Sequence, residues 1–164
     1  MRARMLFTAS LVLIAAAGPA ARAQDSSFAA MQRRGKKAMG VDQYTSIHEF
    51  DDLKDGGRIE LQRDRDDTAG VRVIRQHLKD IETAFSTGDF TTPAFVHMRD
   101  VPGTTVMAAK RTAIHYQFKA LPRGGELRIT TADPAAREAV HQFLAFQRGE
   151  HHAGGHDMSG AHPH

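Results

Sequence analysis

The chain lacks cysteine altogether. Disulfide bonds, thiol catalysis and cysteine-based zinc sites are therefore excluded, and the fold must be held together by packing alone. The usual enzyme signatures are missing as well, since there is no G-x-S-x-G, no H-E-x-x-H, no glycine-rich phosphate loop and no dinucleotide fingerprint. The sequence thus names no reaction, and it leaves open whether the protein is an enzyme.

Long apolar runs are confined to the N-terminus. Arg2 and Arg4 precede an apolar stretch over residues 5–17, and the small residues Ala21 and Ala23 follow it. This pattern is typical of a secretory signal peptide cleaved after Ala23, and the stretch is too short for a stable transmembrane helix. We therefore expect the signal to be removed and the mature protein to be periplasmic or extracellular, with no membrane span.

A surplus of either charge is also missing once the signal is removed. Of the 22 Lys and Arg residues, three (Arg2, Arg4 and Arg22) belong to the signal, and the remaining 19 balance the 19 Asp and Glu residues. Nucleic-acid binding requires a clustered excess of basic side chains, so we expect no nucleic-acid partner. The ten histidines are then the main groups that titrate near neutral pH.

Two segments of the chain resemble each other, which indicates an internal duplication. The copies span about residues 38–87 and 104–149. Each has the pattern strand, turn, strand, helix, because two short alternating stretches are followed by a longer amphipathic one. We predict a single α+β domain in which the copies join into one antiparallel sheet with two helices on one face. The matched positions include Met39 with Met107, Phe50 with Phe118, Leu53 with Leu121, and Gly56-Gly57 with Gly124-Gly125.

Local signals set the bounds of the two helices. Asp67 and Asp133 are predicted N-caps, and Pro134 follows at a first helical position. The helices are predicted to end at Gly88 and by Gly149. Their apolar stripes comprise Val71, Ile74, Leu78, Ile81 and Phe85 in the first helix and Val140, Phe143 and Leu144 in the second.

Four further segments complete the predicted layout. Residues 24–37 form a polar lead-in of partly helical character. TTVMAA at 104–109 is predicted to be a strand, with a weaker counterpart near residues 39–43. Residues 87–103 show no clear period and are predicted to be a long ordered loop between the copies. The Gly/His-rich residues 150–164 are predicted to be a flexible tail that does not pack.

Two histidines occupy positions where the second copy carries aromatic rings. In the strand register His48 aligns with Tyr116, and in the helix register His77 aligns with Phe143. Both histidines are predicted to face the interface between helices and sheet. The simpler interpretation is a pair of half-buried core residues whose ring nitrogens find backbone partners. Two imidazoles at one interface also make a partial metal site, which needs a third ligand.

A third ligand is available in the segment between the copies. His97 and Met98 lie there side by side, and a His/Met mixture suits copper better than magnesium or calcium. The competing interpretation is that Phe95 and Val96 anchor the segment to the core while His97 faces water.

The tail is the most conspicuous metal-binding feature of the chain and the least specific one. Its sequence, HHAGGHDMSGAHPH, includes His151, His152 and His156. Flexible imidazoles of this kind bind Cu(II), Ni(II) or Zn(II) weakly, because binding must order the segment. We predict a capture arm, with adventitious metal binding as the alternative.

The leading hypothesis is an exported metal-binding protein for copper or zinc, with His48, His77 and His97 in a core site. One alternative is a small-molecule or haem-binding module in which the same histidines line a pocket. Another is a secreted enzyme of unknown class that uses a pocket histidine as acid-base catalyst, and a fourth is a structural or partner-binding domain. Converging ring nitrogens would favour metal, and a roomy apolar cavity would favour a small molecule.

Several strings of the chain point to a group of proteins: GVDQYTSIHEF, DGGRIELQRD, GDFTTPAFVHM, VPGTTVMAAKR, PRGGELRITT and HQFLAFQRGEH. Through these strings the chain, from about Lys36 to Gly155, resembles small exported bacterial proteins of unestablished function, some of which carry the name aspartate carbamoyltransferase. We do not expect that activity, since this chain is about half the length of that enzyme's catalytic chain, lacks its S-T-R-T motif and has no four-cysteine zinc site like that of the regulatory chain. The resemblance implies export and a shared domain, and it transfers no catalytic residue.

Overall fold

Five helices and one four-stranded antiparallel sheet make up the computed structural model, which describes residues 19–41, 45–151 and 153. The predicted α+β class is therefore confirmed. A short 3-10 turn precedes the third strand. In chain order the elements are α1 (Pro19–Met39), β1 (Ser46–Leu53), β2 (Gly56–Arg63), α2 (Thr68–Thr87), α3 (Thr91–His97), α4 (Thr104–Ala109), the 3-10 turn (Arg111–Ala113), β3 (Ile114–Leu121), β4 (Gly124–Thr131) and α5 (Pro134–His151).

The sheet joins two hairpins through their second strands, in the order β1-β2-β4-β3. The register places His48 opposite Leu61, and Leu61 opposite Gly125, so these residues share the inner face towards the helices. The outer face is polar, as expected for a sheet that is covered on one side only. Buried inner-face side chains include Phe50, Leu61, Tyr116, Leu127 and Ile129, and outer-face residues include Glu49, Arg58, Glu60, Glu126 and Arg128.

The caps of the two long helices follow the sequence signals. The Asp67 carboxylate accepts a hydrogen bond from the Gly70 N–H at 3.0 Å, and α2 ends before Gly88 in the left-handed conformation. The Asp133 carboxylate accepts hydrogen bonds from the first-turn N–H groups of α5. These predictions are confirmed, and the predicted stripes are buried: Val71, Ile74, Leu78, Ile81, Phe85, Val140, Phe143 and Leu144.

Helices α2 and α5 each pack mainly against the hairpin of the other half of the chain, α2 against β3 and β4, and α5 against β1 and β2. The glycine pairs permit this close approach. A Cβ atom on Gly57 would lie 2.2 Å from Leu144 Cδ1, and one on Gly125 would lie 3.1 Å from Leu78 Cδ1. The layout agrees with the order predicted for each copy, while the duplication itself stays a prediction.

Two predictions about the connections are wrong. TTVMAA is not a strand but helix α4, which contacts α5 and buries Met107 completely. Residues 87–103 are not simply a loop, because α3 forms within them. The weak strand predicted near residues 39–43 is not seen either, since Met39 ends α1, Gly40 and Val41 form a bend, and residues 42–44 lie outside the described part of the chain.

Both ends of the predicted domain also extend further than expected. The polar lead-in belongs to α1, where Met31 and Gln32 are buried and the Arg34 Nε–H donates to the Val96 carbonyl at 2.7 Å. At the other end α5 continues past Gly149 to His151, which is buried. The prediction that packing stops at residue 150 is therefore wrong.

The signal-peptide prediction stays a prediction, since residues 1–18 lie outside the described residues and the expected cleavage point falls within α1. Among the helices described, none has the combined length and apolar character that crossing a membrane requires.

Candidate functional site

A cavity of about 100 Å³ lies between the inner face of β1 and β2 and the helices α1, α2, α3 and α5. Most of its wall is apolar, and four imidazoles interrupt that wall. The histidines are His48, His77, His97 and His151, and the apolar residues include Met39, Phe50, Leu78, Ile81, Phe85 and Phe143.

His48 reaches the cavity because it alternates in β1 with outward-facing residues. Its side chain points to the inner face two positions before Phe50, and 8% of the residue remains exposed. Its Nε2 atom is buried and has no hydrogen-bond partner among the described residues. Burial, together with the nearby His77, lowers the pKa of His48 from 6.5 to about 4. His48 is therefore a neutral imidazole at neutral pH.

His97 ends α3 and is as buried as His48, at 8% exposure. Its Nε2–H donates to Gln147 Oε1 at 3.1 Å, while its Nδ1 lies 3.8 Å from a carboxylate oxygen of Glu150. Arg99 holds that carboxylate at 2.7 Å. Burial lowers the pKa of His97, and the hydrogen bond to Gln147 and the charge of Glu150 oppose this only in part.

His151 is the last residue of α5, and the end of this helix is fixed firmly to β1. The Arg148 guanidinium donates to the Phe50 carbonyl at 2.6 Å and to both carboxylate oxygens of the buried Asp52 at 3.1 and 3.0 Å. One turn later, the His151 ring stacks on the Phe50 ring at 5.9 Å between centroids. The ion pair therefore positions His151 in the wall of the cavity.

His151 contacts two of the other imidazoles, His48 and His97. The His151 ring centroid lies 6.0 Å from that of His48 and 5.1 Å from that of His97. Two imidazoles that share one tetrahedral zinc ion, with Zn–N bonds of 2.0–2.1 Å, have centroids about 5 Å apart. The His97–His151 spacing matches a shared metal, and the His48–His151 spacing is wider. The donor atoms do not converge, since no group of three His, Cys, Asp or Glu residues in the described part of the chain is arranged to hold a metal ion.

His77 contributes to the same cavity from α2, as predicted, and burial lowers its pKa despite the opposing charge of Asp80. The ring contacts that join the other three histidines do not extend to it among the contacts described. His77 therefore lies near His48 but outside the ring contacts described for the other three histidines.

The remaining predicted ligands are either outside the described wall of the cavity or outside the described residues. Met98 has a left-handed backbone with φ of 54°, is 68% exposed, and does not belong to the described wall of the cavity. His97 faces inward, so the interpretation in which it faces water is wrong, and it is Phe95 that is exposed. His152 and His156 lie outside the described residues.

His151 was assigned to the flexible arm, and the structure instead buries it in the core. A signal for this position exists in the sequence. The inward-facing residues Val140, Leu144 and Gln147 recur at helical spacing, and continuing that spacing reaches His151. The prediction that the helix ends by Gly149 leaves His151 and Glu150 outside the packed domain, and Gln147 carries no local signal that marks it as a partner of His97.

The chain matches no protein-family model, no curated protein and no solved structure. The functional proposal therefore rests on the residues and their geometry.

Proposed function

We propose that this protein is an exported binding protein for a first-row transition metal, zinc or copper, held by His48, His97 and His151. The observation that carries the proposal is the meeting of three buried imidazoles, from β1, α3 and α5, at ring spacings of 5.1 and 6.0 Å in one cavity. Nitrogen ligands from three separate elements are characteristic of zinc and copper centres in proteins.

The protonation state of the site supports this function. Metals bind the neutral imidazole, so a histidine that is already neutral has no proton to release. Burial lowers the pKa values of both His48 and His97, and the Nε2 atom of His48 is left without a hydrogen-bond partner among the described residues. An unpaired buried nitrogen is costly in the absence of a ligand, and a bound metal would remove that cost.

The surroundings of His97 also suit a metal ligand. A ligating histidine usually donates its second ring N–H to a carboxylate, which orients the ring and raises its basicity. The Nδ1 atom of His97 faces Glu150 at 3.8 Å, and Arg99 holds that carboxylate. In the metal-bound protein we assign Glu150 the role of hydrogen-bond acceptor for His97, with Nε2 leaving Gln147 to bind the metal.

Metal binding requires the rings to turn, because their nitrogens do not converge in this structure. The torsion between Cβ and an imidazole has a broad energy profile, so a modest rotation of each ring costs little compared with three metal–nitrogen bonds. The His97 and His151 rings already have the centroid spacing of two imidazoles on one ion, and the His48 ring must approach His151 from its present 6.0 Å.

The test uses a full-length chain whose tail cannot compete for metal. We expect this tail-substituted chain to bind one Zn(II) or Cu(II) ion in calorimetry and metal analysis. Replacing any one ligand, as in His48→Ala, His97→Ala or His151→Ala, should weaken binding by about a hundredfold or more, because two imidazoles alone form an incomplete site. The tail substitutions are His152→Ala, His156→Ala, His162→Ala and His164→Ala.

His115→Ala is the matched control, since His115 is exposed on the outer face of the sheet and should leave the affinity unchanged. His77→Ala should have a smaller effect than the three ligand variants. A tail-substituted chain that binds neither ion more tightly than about 10 μM would show that the core holds no metal site. Truncation of the tail must leave His151 in place, because removing it would remove a proposed ligand.

A small-molecule site without metal is the second candidate, and the apolar wall of the cavity favours it. The volume of about 100 Å³ lies below the roughly 300–1,000 Å³ typical of pockets for drug-sized ligands, which disfavours haem. This candidate would gain support if the metal-free chain bound a small apolar compound tightly while the tail-substituted chain failed to bind metal.

A further inference from the structure

We propose that the surface formed by the C-terminal half of α1 and the end of α3 binds an anionic membrane surface. This surface, which we call the basic–apolar surface, consists of the exposed residues Arg33, Lys36, Lys37, Phe95 and Met98. The proposal does not depend on the metal site, because none of these five residues belongs to the described wall of the cavity.

The basic charges of this surface are concentrated in one short run. The sequence RRGKK at residues 33–37 has four basic residues in five positions, although basic and acidic residues balance over the expected mature chain. Arg33 and Lys37 share one face of α1, because residues four apart are neighbours on a helix, while Gly35 between them is buried in the cavity wall. Clusters of about four to eight Lys and Arg residues on a helix are typical of segments that bind anionic lipids.

No acidic residue is available within the same segments to neutralise this run. Residues 26–41 and 91–98 contain neither Asp nor Glu. The one basic residue of the run that turns towards the protein is Arg34, whose Nε–H donates to the Val96 carbonyl at 2.7 Å. This bond joins α1 to α3, so the two parts of the surface are held together.

Two large apolar side chains are exposed to solvent beside the run. Phe95 is 42% exposed, and Met98 is 68% exposed, the highest value among the large apolar residues described. They lie about one helical turn apart at the end of α3. The Lys37 Nζ atom lies 5.8 Å from the centroid of the Phe95 ring, so the basic and apolar parts adjoin.

The backbone at Met98 also indicates that its exposure is imposed by the fold. Met98 has φ of 54°, and it is the one residue other than glycine with a positive φ in the described part of the chain. Such a conformation is uncommon for a large side chain and persists where the surrounding structure enforces it, often at functional positions. Here the neighbouring His97 is buried and bonded to Gln147, which fixes the end of α3.

A membrane fits this combination better than an acidic protein does. Its anionic headgroups attract lysine and arginine without demanding a fixed geometry, and the boundary with the acyl chains accepts exposed apolar side chains. A stable protein interface buries about 800 Å² on each partner around a packed apolar centre, which two separate side chains do not provide. Since no described helix is able to span a membrane, the association would be peripheral and reversible.

Vesicle sedimentation tests the proposal on the exported chain, which is expected to begin at Gln24. The vesicles contain phosphatidylglycerol mixed with phosphatidylcholine, or phosphatidylcholine alone. At about pH 8 with a chelator present, unperturbed histidines are neutral and no metal contributes. We expect at least about tenfold tighter binding to the anionic vesicles, and loss of most of it when the salt concentration rises from about 0.05 to about 0.5 M.

Arg33→Gln combined with Lys37→Gln tests the charges. Each basic residue near an anionic surface contributes appreciably, so the pair should weaken binding to the anionic vesicles at least about tenfold. Lys54→Gln combined with Lys119→Gln is the matched control, because it removes the same net charge from exposed positions outside the surface. An equal loss in both double variants would show that net charge alone acts, and would overturn the proposal.

Met98→Asn tests the apolar part. Asparagine tolerates the left-handed backbone at this position, so the variant should fold as the parent does, and circular dichroism checks this. Binding to the anionic vesicles should weaken at least about threefold. Ile47→Thr, at an exposed position of β1 on the outer face of the sheet, is the matched control and should bind as the parent does.

The remaining outcomes also decide the question. Equal binding to both kinds of vesicle, or to neither, would overturn the proposal. Binding of soluble polyglutamate as tight as binding of the anionic vesicles, with no effect of Met98→Asn on either, would assign the surface to an acidic protein instead. Zn(II) or Cu(II) affinity should be unchanged in all these variants, so the metal site and the membrane surface can fail independently.

Discussion

His48 takes, on the inner face of β1, the place that Tyr116 takes on β3. Both side chains are buried, and each carries a polar atom without a hydrogen-bond partner among the described residues, Nε2 in His48 and the hydroxyl in Tyr116. Aligning the two halves of the sequence predicted this shared orientation correctly, because side chains alternate strictly along a strand. What differs is the chemistry, since only the imidazole can take up a proton or bind a metal near neutral pH.

The metal-free protein should lose stability as the pH falls from about 6.5 to about 4. The folded pKa of His48 is about 4 and its ordinary value is 6.5, so in this range the unfolded chain takes up a proton that the folded chain does not. The loss attributable to His48 is on the order of 3 kcal/mol. Urea unfolding at pH 7 and pH 4 should therefore show a smaller decrease for His48→Phe than for the parent chain.

His115→Phe, on the exposed face of the same sheet, is the comparison for that measurement and should retain the full decrease. An equal decrease in all three chains would mean that His48 titrates normally and that its burial has been misjudged.

The glycine pairs that mark the sequence repeat also determine how closely helices α2 and α5 approach the sheet. Gly57 lies against α5. The Nε2 atom of His141 in that helix lies 3.0 Å from the Leu53 carbonyl oxygen and 2.9 Å from the Gly56 carbonyl oxygen, at the turn of the β1–β2 hairpin. Together with the bond of Arg148 to Asp52, these contacts fix α5 on the C-terminal end of β1. The position of His151 therefore depends on how closely α5 approaches the sheet.

Gly57→Ala should destabilise the protein by about 1–3 kcal/mol, because the added methyl group would lie 2.2 Å from Leu144 Cδ1 and force the helix away from the sheet. Gly149→Ala, in the same helix with nothing within 4 Å of its Cβ position, should instead stabilise it by up to about 1 kcal/mol. Denaturant unfolding followed by circular dichroism measures both changes. A neutral effect of Gly57→Ala would show that Leu144 can move aside.

In two elements, tertiary contacts and not the local sequence pattern decide the secondary structure. TTVMAA has the composition of a strand, yet α4 forms because its one buried residue, Met107, faces α5 while most of its neighbours stay exposed. Helix α3 has only seven residues and would not form alone, and its contact with α1 supports it. Neither contact can be inferred from the local pattern.

For the whole molecule, the important distinction is between metal held by the tail and metal held by the folded core. Histidines that take no part in packing, as the sequence predicts for the tail, bind metal equally well in folded and unfolded chains, so they cannot shift the folding equilibrium. His48, His97 and His151 come together only on folding, because they belong to three separate elements. Thermal stability therefore reports the core site even when the tail is intact.

Zn(II) at a hundred times its Kd should raise the stability of the intact chain by about 2.7 kcal/mol, or roughly 5–10 °C in Tm. His151→Ala should abolish the increase, whereas removal of the four tail imidazoles by substitution should preserve it. An increase that followed the tail substitutions and ignored His151 would assign the metal to the tail and refute the core site.

The sequence by itself determined the four strands of the sheet, helices α2 and α5, their N-terminal caps and the helix–sheet interface at which His48 and His77 lie. These features depend on residue alternation, helical spacing and side-chain caps, all of which act over a few neighbouring residues. Only the tertiary structure decided that His151 contacts both His48 and His97, and that His77 lies outside the ring contacts described. That outcome depends on the packing of α2 mainly against β3 and β4 and of α5 mainly against β1 and β2, and on the contact of α1 with α3. Such contacts join residues far apart in the chain through burial and shape, for which a local pattern carries no signal.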